Sequence, residues 1–279
     1  MTRLGFVLIS LLLLGSLATG AGLELAGLQR TSLDWTTVRL LFYTKNGTGY
    51  VHDNIPASIE AINELAREHR FSVDVSNDPG VFTDDNLTKY SALVFSNTNN
   101  VVFDTDAQRV ALMRYVQAGG GFVGIHSASG AERTWKWFAG LLGGAFSRHA
   151  PIQRFGVLVL DRTHPSLAHL PARWDREDEC YYLVRMNVNM QILAVNDLTT
   201  IQDPKEKPST FGDVFPSVWY QEFDGGRQWY TSLGHRKEDY AGAELRRHLL
   251  GGIESVVRET PRDYSRAYAV SPGDAPRTR

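Results

Sequence analysis

The first half of the chain alternates short apolar segments with stretches that carry apolar residues at helical spacing. The apolar segments are largely continuous rather than alternating in polarity, which is typical of strands covered on both faces of a parallel sheet. They are Val38–Tyr43, Phe71–Val75, Ala92–Ser96 and Phe122–Ile125. The intervening patterns predict helices that pack on that sheet. The sequence therefore predicts an α/β fold of three layers with a mostly parallel central sheet.

The second half of the chain predicts further strands joined by loops instead of regular helices. The predicted strands are Arg154–Leu160, Tyr181–Val184, Gln191–Val195, Val218–Phe223 and Gln228–Ser232. One amphipathic helix follows over Ala243–Val257. After Thr260 the chain is polar and rich in proline, which predicts a flexible tail over residues 259–279.

The N-terminal segment has the order of features that is typical of a secretory signal peptide. Met1–Arg3 carries positive charge, Leu4–Leu17 is almost wholly apolar, and small residues follow from Ala18. The apolar run is shorter than the about 20 residues that a transmembrane helix needs. We predict a leader over residues 1–20 and a secreted or periplasmic protein with no membrane segment after cleavage. An uncleaved N-terminal anchor is the alternative.

Composition excludes several partners and chemistries. The formal net charge is −2 and the chain has no basic block, so nucleic acid is not an expected partner. Cys180 is the single cysteine, so the chain can form neither an internal disulfide nor a zinc–thiolate cluster. The sequence leaves the oligomeric state open, a homo-oligomer included.

Candidate site residues follow the predicted strands. Ligands of open parallel sheets bind outside the carboxyl ends of the strands, and His52, Asn97 and the pair His126-Ser127 follow the first, third and fourth strands. Imidazole serves as a base, an acid or a metal ligand near neutral pH. We therefore expect His52 and His126 to share one cleft. Candidates from the second half of the chain are His149, Glu179 and His235.

Eight segments of the chain form a pattern that is shared with a known family. They are Val51-His52, "DPGVFTDDNLTKYSALVF", "YVQAGGGFVGIHSA", "LLGGAFSRH", "DRTHPSLAHLP", "DECYY", "VWYQEFDGGRQWYTSLGH" and "LRRHLLGGI". With this order and spacing the chain resembles the ThuA-like (trehalose utilisation) family, within the class I glutamine amidotransferase-like superfamily. The resemblance implies one ThuA-like domain over residues 37–258, with a three-layer flavodoxin/amidotransferase-like fold and an extra β-rich second half.

The resemblance also shows which chemistry is absent. In glutamine amidotransferases the strand-to-helix elbow reads Gly-x-Cys-x-Gly, and its cysteine attacks the substrate. Here the elbow is Gly124-Ile125-His126-Ser127-Ala128, and Cys180 lies in another segment. Covalent thiolate chemistry is therefore not expected, whereas an imidazole at this position suits proton transfer or metal binding.

For function, the resemblance implies work on 3-keto disaccharides or glycosides made by a partner sugar dehydrogenase. A 3-keto group acidifies neighbouring C–H bonds, so a base can drive epimerisation, isomerisation or β-elimination. We expect His126 or His52 as the base and Glu179 as the acid or the orienting group. The expected substrate-binding residues, with aromatic faces for sugar stacking among them, are Asn97, Ser127, Tyr181, Trp219 and His235.

Two departures from the family pattern keep other interpretations open. Cys180 stands where the family usually has an aromatic residue, and Val214-Phe215-Pro216 replaces a polar stretch that often contains histidine. One alternative is a divalent-metal site, with zinc as the example, and the other is a carbohydrate-binding protein without catalysis. The metal ligands would be His52, His126, His149 and His235, or three of these with Glu179.

Overall fold

The computed structural model describes residues 33–258 and 262–277, so the predicted leader over residues 1–20 lies outside the described residues. The helices are α1 (Ile55–His69), α2 (Asp84–Leu87), α3 (Asp106–Gln117), α4 (Lys136–Leu142) and α5 (Ala243–Val256). The strands are β1 (Arg39–Tyr43), β2 (Ser72–Ser76), β3 (Ala92–Ser96), β4 (Gly121–Ile125), β5 (Ala145–His149), β6 (Gln153–Val159), β7 (Arg173–Asp178), β8 (Tyr181–Val184), β9 (Gln191–Asp197), β10 (Val214–Phe223) and β11 (Gly226–Thr231).

Within the described residues one large sheet has the strand order β2-β1-β3-β4-β11-β10-β9-β6-β7. Five neighbouring strands run parallel to one another: β2, β1, β3, β4 and β11. The strands β10, β9, β6 and β7 extend the sheet by antiparallel pairing. A separate ribbon pairs β5 with β8. This arrangement confirms the predicted α/β fold with a parallel central region and an additional β-rich half.

Two neighbouring residues of β11 show that the sheet lies between two helical layers. Trp229 faces α5, because a Cβ added to Gly252 would lie 2.5 Å from its ring. Tyr230 faces α4, since Trp219 stacks on it with ring centroids 4.4 Å apart and donates a hydrogen bond from Nε1 to the carbonyl of Leu142. Successive residues of a strand point to opposite faces, so α4 and α5 cover opposite faces of the sheet.

Three elements were absent from the sequence prediction: α4, β5 and β7. β7 is an edge strand whose exposed residues are all charged, and its buried face includes Arg176 and Asp178. Natural sheets protect their edges in this way, and the resulting charge run conceals the alternating pattern of a strand. α4 has seven residues, too few for the helical period to stand out from the apolar segment around it.

Thr105 is the N-cap of α3, where it forms a capping box with Gln108. The structure corrects one predicted segment, the C-terminal tail. Residues 262–277 are not the flexible tail that the sequence predicted, because they pack on the domain. Ala269 is buried, and Trp135 Nε1 donates a 2.7 Å hydrogen bond to the carbonyl of Pro272.

The chain order creates a site at the carboxyl edge of the parallel strands. From β1 the chain moves to β2 on one side and then to β3 on the other, so the strand order reverses there. The loops after β1, β3, β4 and β11 all emerge at this edge. None of the described helices is both long and apolar enough to cross a membrane.

His248 on α5 provides a test of the fold by pH. Burial lowers its pKa to about 3, although a bond to the Ser166 carbonyl opposes the shift. In the unfolded chain the histidine takes up a proton below its ordinary pKa of 6.5, so stability falls as pH decreases from about 6.5 to 3. We expect His248→Gln to reduce the dependence of the unfolding free energy on pH in this range by about 1.4 kcal/mol per pH unit. Urea unfolding at several pH values measures this dependence. An unchanged slope would contradict the buried, neutral state of His248.

Candidate active site

His126 lies at the strand-to-helix elbow that follows β4. Its backbone φ of 52° is in the left-handed region, which costs a residue other than glycine about 1–3 kcal/mol. Gly124 permits the close packing beneath the elbow, since a Cβ there would lie 2.8 Å from Leu142 and 2.9 Å from Tyr230. Nδ1 of His126 lies 2.8 Å from the carbonyl oxygen of Ser232. A carbonyl only accepts, so Nδ1 carries a proton, and Nε2 presents a lone pair whenever the ring holds a single proton.

Three further side chains converge on this nitrogen. His126 Nε2 lies 3.2 Å from His52 Nε2, 3.3 Å from His235 Nδ1 and 3.5 Å from Glu179 Oε2. One ligand atom from each of these residues lies within 4.8 Å of every other. We call His52, His126, Glu179 and His235 the His–Glu cluster. Three of its members come from the carboxyl edge of the parallel strands, and Glu179 comes from the connection between β7 and β8.

His52 is held as a neutral imidazole. Burial lowers its pKa to about 3, and the neighbouring His126 and His235 lower it further than Glu179 raises it. Its Nδ1 lies 3.2 Å from the Ser127 hydroxyl, so Ser127 orients His52 from the residue next to His126. His52 therefore offers a ring nitrogen to the centre of the cluster without carrying charge.

Glu179 supplies the negative charge of the cluster. Burial opposes its ionised form, but the neighbouring His126 and His235 outweigh burial and hold the pKa of Glu179 well below its usual range. Its Oε2 lies 3.1 Å from His235 Nδ1, and this contact raises the pKa of His235. Glu179 Oε1 lies 3.3 Å from Nδ1 of His149, whose half-exposed side chain connects the carboxylate to solvent.

Tyr181 adds a buried hydroxyl beside His126. Its oxygen lies 2.9 Å from His126 Nε2. Burial, together with the charge of Glu179, raises the pKa of this phenol well above its usual value, so it stays protonated and donates. The ring also packs against Phe146 with centroids 4.6 Å apart. Tyr181 can thus donate to the histidine or to a ligand that occupies the same space.

Two predicted substrate-binding residues lie away from any surface that a sugar could reach. Trp219 is fully buried between Tyr230 and the end of α4, where its Nε1 is already bonded to the Leu142 carbonyl. Asn97 is also fully buried, and its amide nitrogen donates to Ser96 and Tyr240. The structure therefore places both residues in the support of the site, not in its wall.

The departures from the family pattern leave the cluster intact. Cys180 is buried beside Asn196, whose Nδ2 lies 3.3 Å from the sulphur, and burial raises the pKa of the thiol to about 12. Phe215 packs edge-on against Tyr182. Neither residue is a member of the His–Glu cluster, so neither substitution removes one of its ligand atoms.

Sequence reasoning missed two aromatic residues at the rim of the cluster. Tyr50 is 61% exposed and meets the His52 ring edge-on with centroids 4.8 Å apart. Phe146, on the other side, packs against Tyr181 and His149. The signal for Tyr50 was its position two residues before His52. Phe146 gave no comparable signal, because β5 itself was not predicted.

The fold and the cluster define an α/β protein with a histidine–carboxylate centre at the carboxyl edge of its sheet. A family model described as ThuA, trehalose utilisation, matches residues 39–255. Because this match spans most of the chain, the protein belongs to the ThuA family. No curated protein is significantly similar to the chain in sequence.

Solved structures share the fold at low sequence identity. A ThuA-like protein from Bacteroides uniformis superposes with a TM-score of 0.67 at 23% identity, over 80% of this chain and 92% of that chain. A ThuA-like protein from Parabacteroides merdae gives 0.59 at 19% identity, with the same coverage. A β-galactosidase from Bacillus circulans gives 0.51 at 11% identity, over 80% of this chain but only 32% of that enzyme.

The ion pair between Glu179 and His235 predicts that the charge of Glu179 raises the pKa of His235 by a measurable amount. Because the bond to Glu179 is the largest cause of the raised pKa of His235, Glu179→Gln should lower that pKa, since burial is then opposed only by the weaker effects of Asp178 and Asp53. The measurement is a pH titration of the His235 ring protons by NMR in chelator-treated protein. Glu177→Gln is the matched control, since Glu177 pairs with Arg236 instead. Equal His235 pKa values in wild type and Glu179→Gln would refute the coupling.

Proposed function

We propose that this ThuA-family protein is a carbohydrate-processing enzyme whose His–Glu cluster holds a divalent metal ion of the zinc type. The observation that carries the proposal is the convergence of three imidazole nitrogens, one of them His126 Nε2, and one carboxylate oxygen within 4.8 Å of one another. Of the ligand sets that the sequence left open, the supported one has Glu179 in place of His149. His149 instead lies behind Glu179, where it contacts the other carboxylate oxygen.

The residues fit such an ion in type and in the spacing of the ligand atoms around His126 Nε2 and Glu179 Oε2. Zinc accepts histidine nitrogen and carboxylate oxygen, and bonds of about 2.0–2.1 Å give tetrahedral edges of roughly 3.3 Å between ligand atoms. The four separations around His126 Nε2 and Glu179 Oε2 are 3.1, 3.2, 3.3 and 3.5 Å, and all the ligand atoms lie within 4.8 Å of one another. Ligands must be deprotonated to bind, and both the neutral His52 and the ionised Glu179 meet this requirement. A bound divalent ion polarises a carbonyl oxygen and lowers the pKa of a bound water.

For the substrate we propose an oxidised disaccharide or glycoside with a keto group at C3. The family description, trehalose utilisation, supports a sugar. The exposed Tyr50 ring beside His52 offers the apolar face on which a sugar ring can stack. The keto sugar would be supplied by an oxidoreductase, the partner dehydrogenase expected from the sequence. The predicted leader would place this activity in the periplasm or outside the cell.

The chain's own residues can move the proton that such a substrate requires. Removal of the proton at C2 leaves its electron pair delocalised onto the C3 carbonyl oxygen as an enolate. The pair then either takes up a proton again, giving an isomer, or forms a C1–C2 double bond as the glycosidic C1–O bond breaks, and the departing oxygen leaves as an alcohol after it takes up the abstracted proton. The half-exposed His149, which lies 3.3 Å from Glu179 Oε1, can accept the proton, and the Tyr181 hydroxyl can donate to the enolate oxygen.

A second candidate is acid–base catalysis by the same residues without a metal. The contact of 2.9 Å between the Tyr181 hydroxyl and His126 Nε2 favours it, because a nitrogen that accepts this hydrogen bond has the lone pair that a base requires. In this candidate His126 is the base and the ion pair of Glu179 with His235 orients it. The third interpretation is sugar binding without catalysis, and a protein of that kind does not need clustered imidazoles.

The test combines metal analysis with turnover. We expect purified protein loaded with Zn²⁺ or Co²⁺ to retain about one ion per chain and to convert 3-keto-trehalose or a related keto-disaccharide in a panel followed by mass spectrometry. Chelation should abolish turnover, and Glu179→Gln should reduce it by at least about 100-fold. His169→Gln is the matched control, because His169 lies outside the cluster and bonds to the Glu244 carbonyl.

Three results would contradict the proposal in different ways. Full turnover by chelated, metal-free protein would favour the acid–base candidate. Binding of the keto-disaccharides without any product would favour the binding protein. Neither turnover nor sugar binding across the panel would show that the substrate class is wrong, even with a metal bound.

A further inference from the structure

The loop from Ser232 to His235 carries two separate contacts of the His–Glu cluster. The Ser232 carbonyl fixes the proton of His126 on Nδ1, and His235 contributes its own ring nitrogen. The loop follows β11 directly, and an error in its path would displace both groups together. The geometry of the cluster therefore depends on the backbone path of this loop as well as on its side chains.

Asp178 holds this loop from one side. Its Oδ2 accepts the N–H of Gly234 at 2.9 Å, and its Oδ1 accepts the N–H of His235 at 3.1 Å. Oδ1 also accepts the N–H of Glu179 at 2.8 Å. Asp178 is fully buried, and such charge-assisted bonds to backbone N–H groups satisfy a carboxylate that would otherwise be costly to bury. A single side chain thus ties the backbone of Glu179 to the backbone of His235.

Asn54 and Tyr240 hold the same loop from the other side. Asn54 Nδ2 donates to the carbonyls of Gly234 and His235 at 2.7 and 2.9 Å, and the Tyr240 hydroxyl donates to the Gly234 carbonyl at 3.0 Å. Asn54 is fully buried and lies two residues after His52. Gly234 has φ 110°, and a Cβ there would lie 2.9 Å from the Tyr240 oxygen, so only glycine suits the clamped position.

We propose that Asp178 is a positioning residue for the His–Glu cluster, acting through the backbone N–H groups of Gly234, His235 and Glu179. Asn54 and Tyr240 complete the clamp from the carbonyl side. The proposal deepens the proposed function, because it says what keeps the ligand atoms together, but its geometry does not depend on the identity of the ion or the sugar. Partners of this kind, bonded to ligand residues and not to the ion, typically change metal affinity by 10–100-fold when removed.

The test replaces Asp178 by asparagine. An amide has one acceptor oxygen, so Asp178→Asn cannot accept all three N–H groups. Asp224→Asn is the matched control: Asp224 is another carboxylate with several donors, among them Gln117, Trp137 and Tyr268, and it is no member of the cluster. Thermal unfolding measures the stability lost by each variant, and Co²⁺ titration followed by visible absorption measures affinity.

We expect Asp178→Asn to weaken Co²⁺ binding by about 10–100-fold, while Asp224→Asn stays within about 2-fold of the wild type at a similar loss of melting temperature. Unchanged Co²⁺ affinity in folded Asp178→Asn would overturn the proposal. Equal weakening in both variants would also overturn it, since that result would reflect stability alone.

A second measurement separates this proposal from the proposed function. If wild-type protein binds no Co²⁺, the metal proposal fails, and the imidazole ¹⁵N signals of metal-free protein decide the role of Asp178. The signals of His235 and His126 should shift in Asp178→Asn and stay in place in Asp224→Asn, and unmoved signals would refute positioning. If Asp178→Asn does not fold, Tyr240→Phe, which removes only one hydroxyl from the clamp, should shift the His235 signal. No shift in that variant would refute the clamp.

Discussion

The site depends on one hydrogen bond, from Nδ1 of His126 to the carbonyl of Ser232. This bond joins the loops that follow β4 and β11, which are neighbouring parallel strands. It fixes the proton on the nitrogen that faces the sheet and leaves the other nitrogen free to act. The left-handed backbone at His126 turns the ring into this position, and the strain is tolerated because the surrounding packing determines the elbow.

The antiparallel half of the sheet supplies what the parallel half lacks. The parallel strands bring three imidazoles together, and burial by itself makes an imidazole costly to charge. Glu179 enters from the connection between β7 and β8, next to Tyr181, and His149 ends β5. The carboxylate, the protonated phenol and the route to solvent therefore all come from the added β-rich half. The same arrangement suits a divalent ion and a proton relay, since both need a fixed lone pair beside a negative charge.

The sequence predicted the parts of the structure that follow from local periodicity and from one topological rule. Three of the first four strands were continuous apolar segments, and the rule that sites lie at carboxyl strand ends put His52 and His126 at one edge, where they lie 3.2 Å apart. The sequence could not predict Asp178 as a buried acceptor, because the acidic run Glu177-Asp178-Glu179 is typical of a solvent-exposed edge. Its burial depends on β7 pairing at the far side of the sheet and on a loop almost 60 residues later in the chain. The prediction for Trp219 was wrong in the opposite sense. It was expected to bind substrate but is part of the core, where an aromatic residue near a motif can equally lie.

X-ray absorption spectroscopy of the zinc-loaded protein tests the central claim most directly. The account predicts nitrogen and oxygen neighbours with the multiple scattering of imidazole rings, and a loss of one imidazole contribution in His126→Ala. A zinc environment made only of oxygen atoms, or one that is the same in wild type and His126→Ala, would show that the lone pairs at the carboxyl edge do not converge on a metal ion.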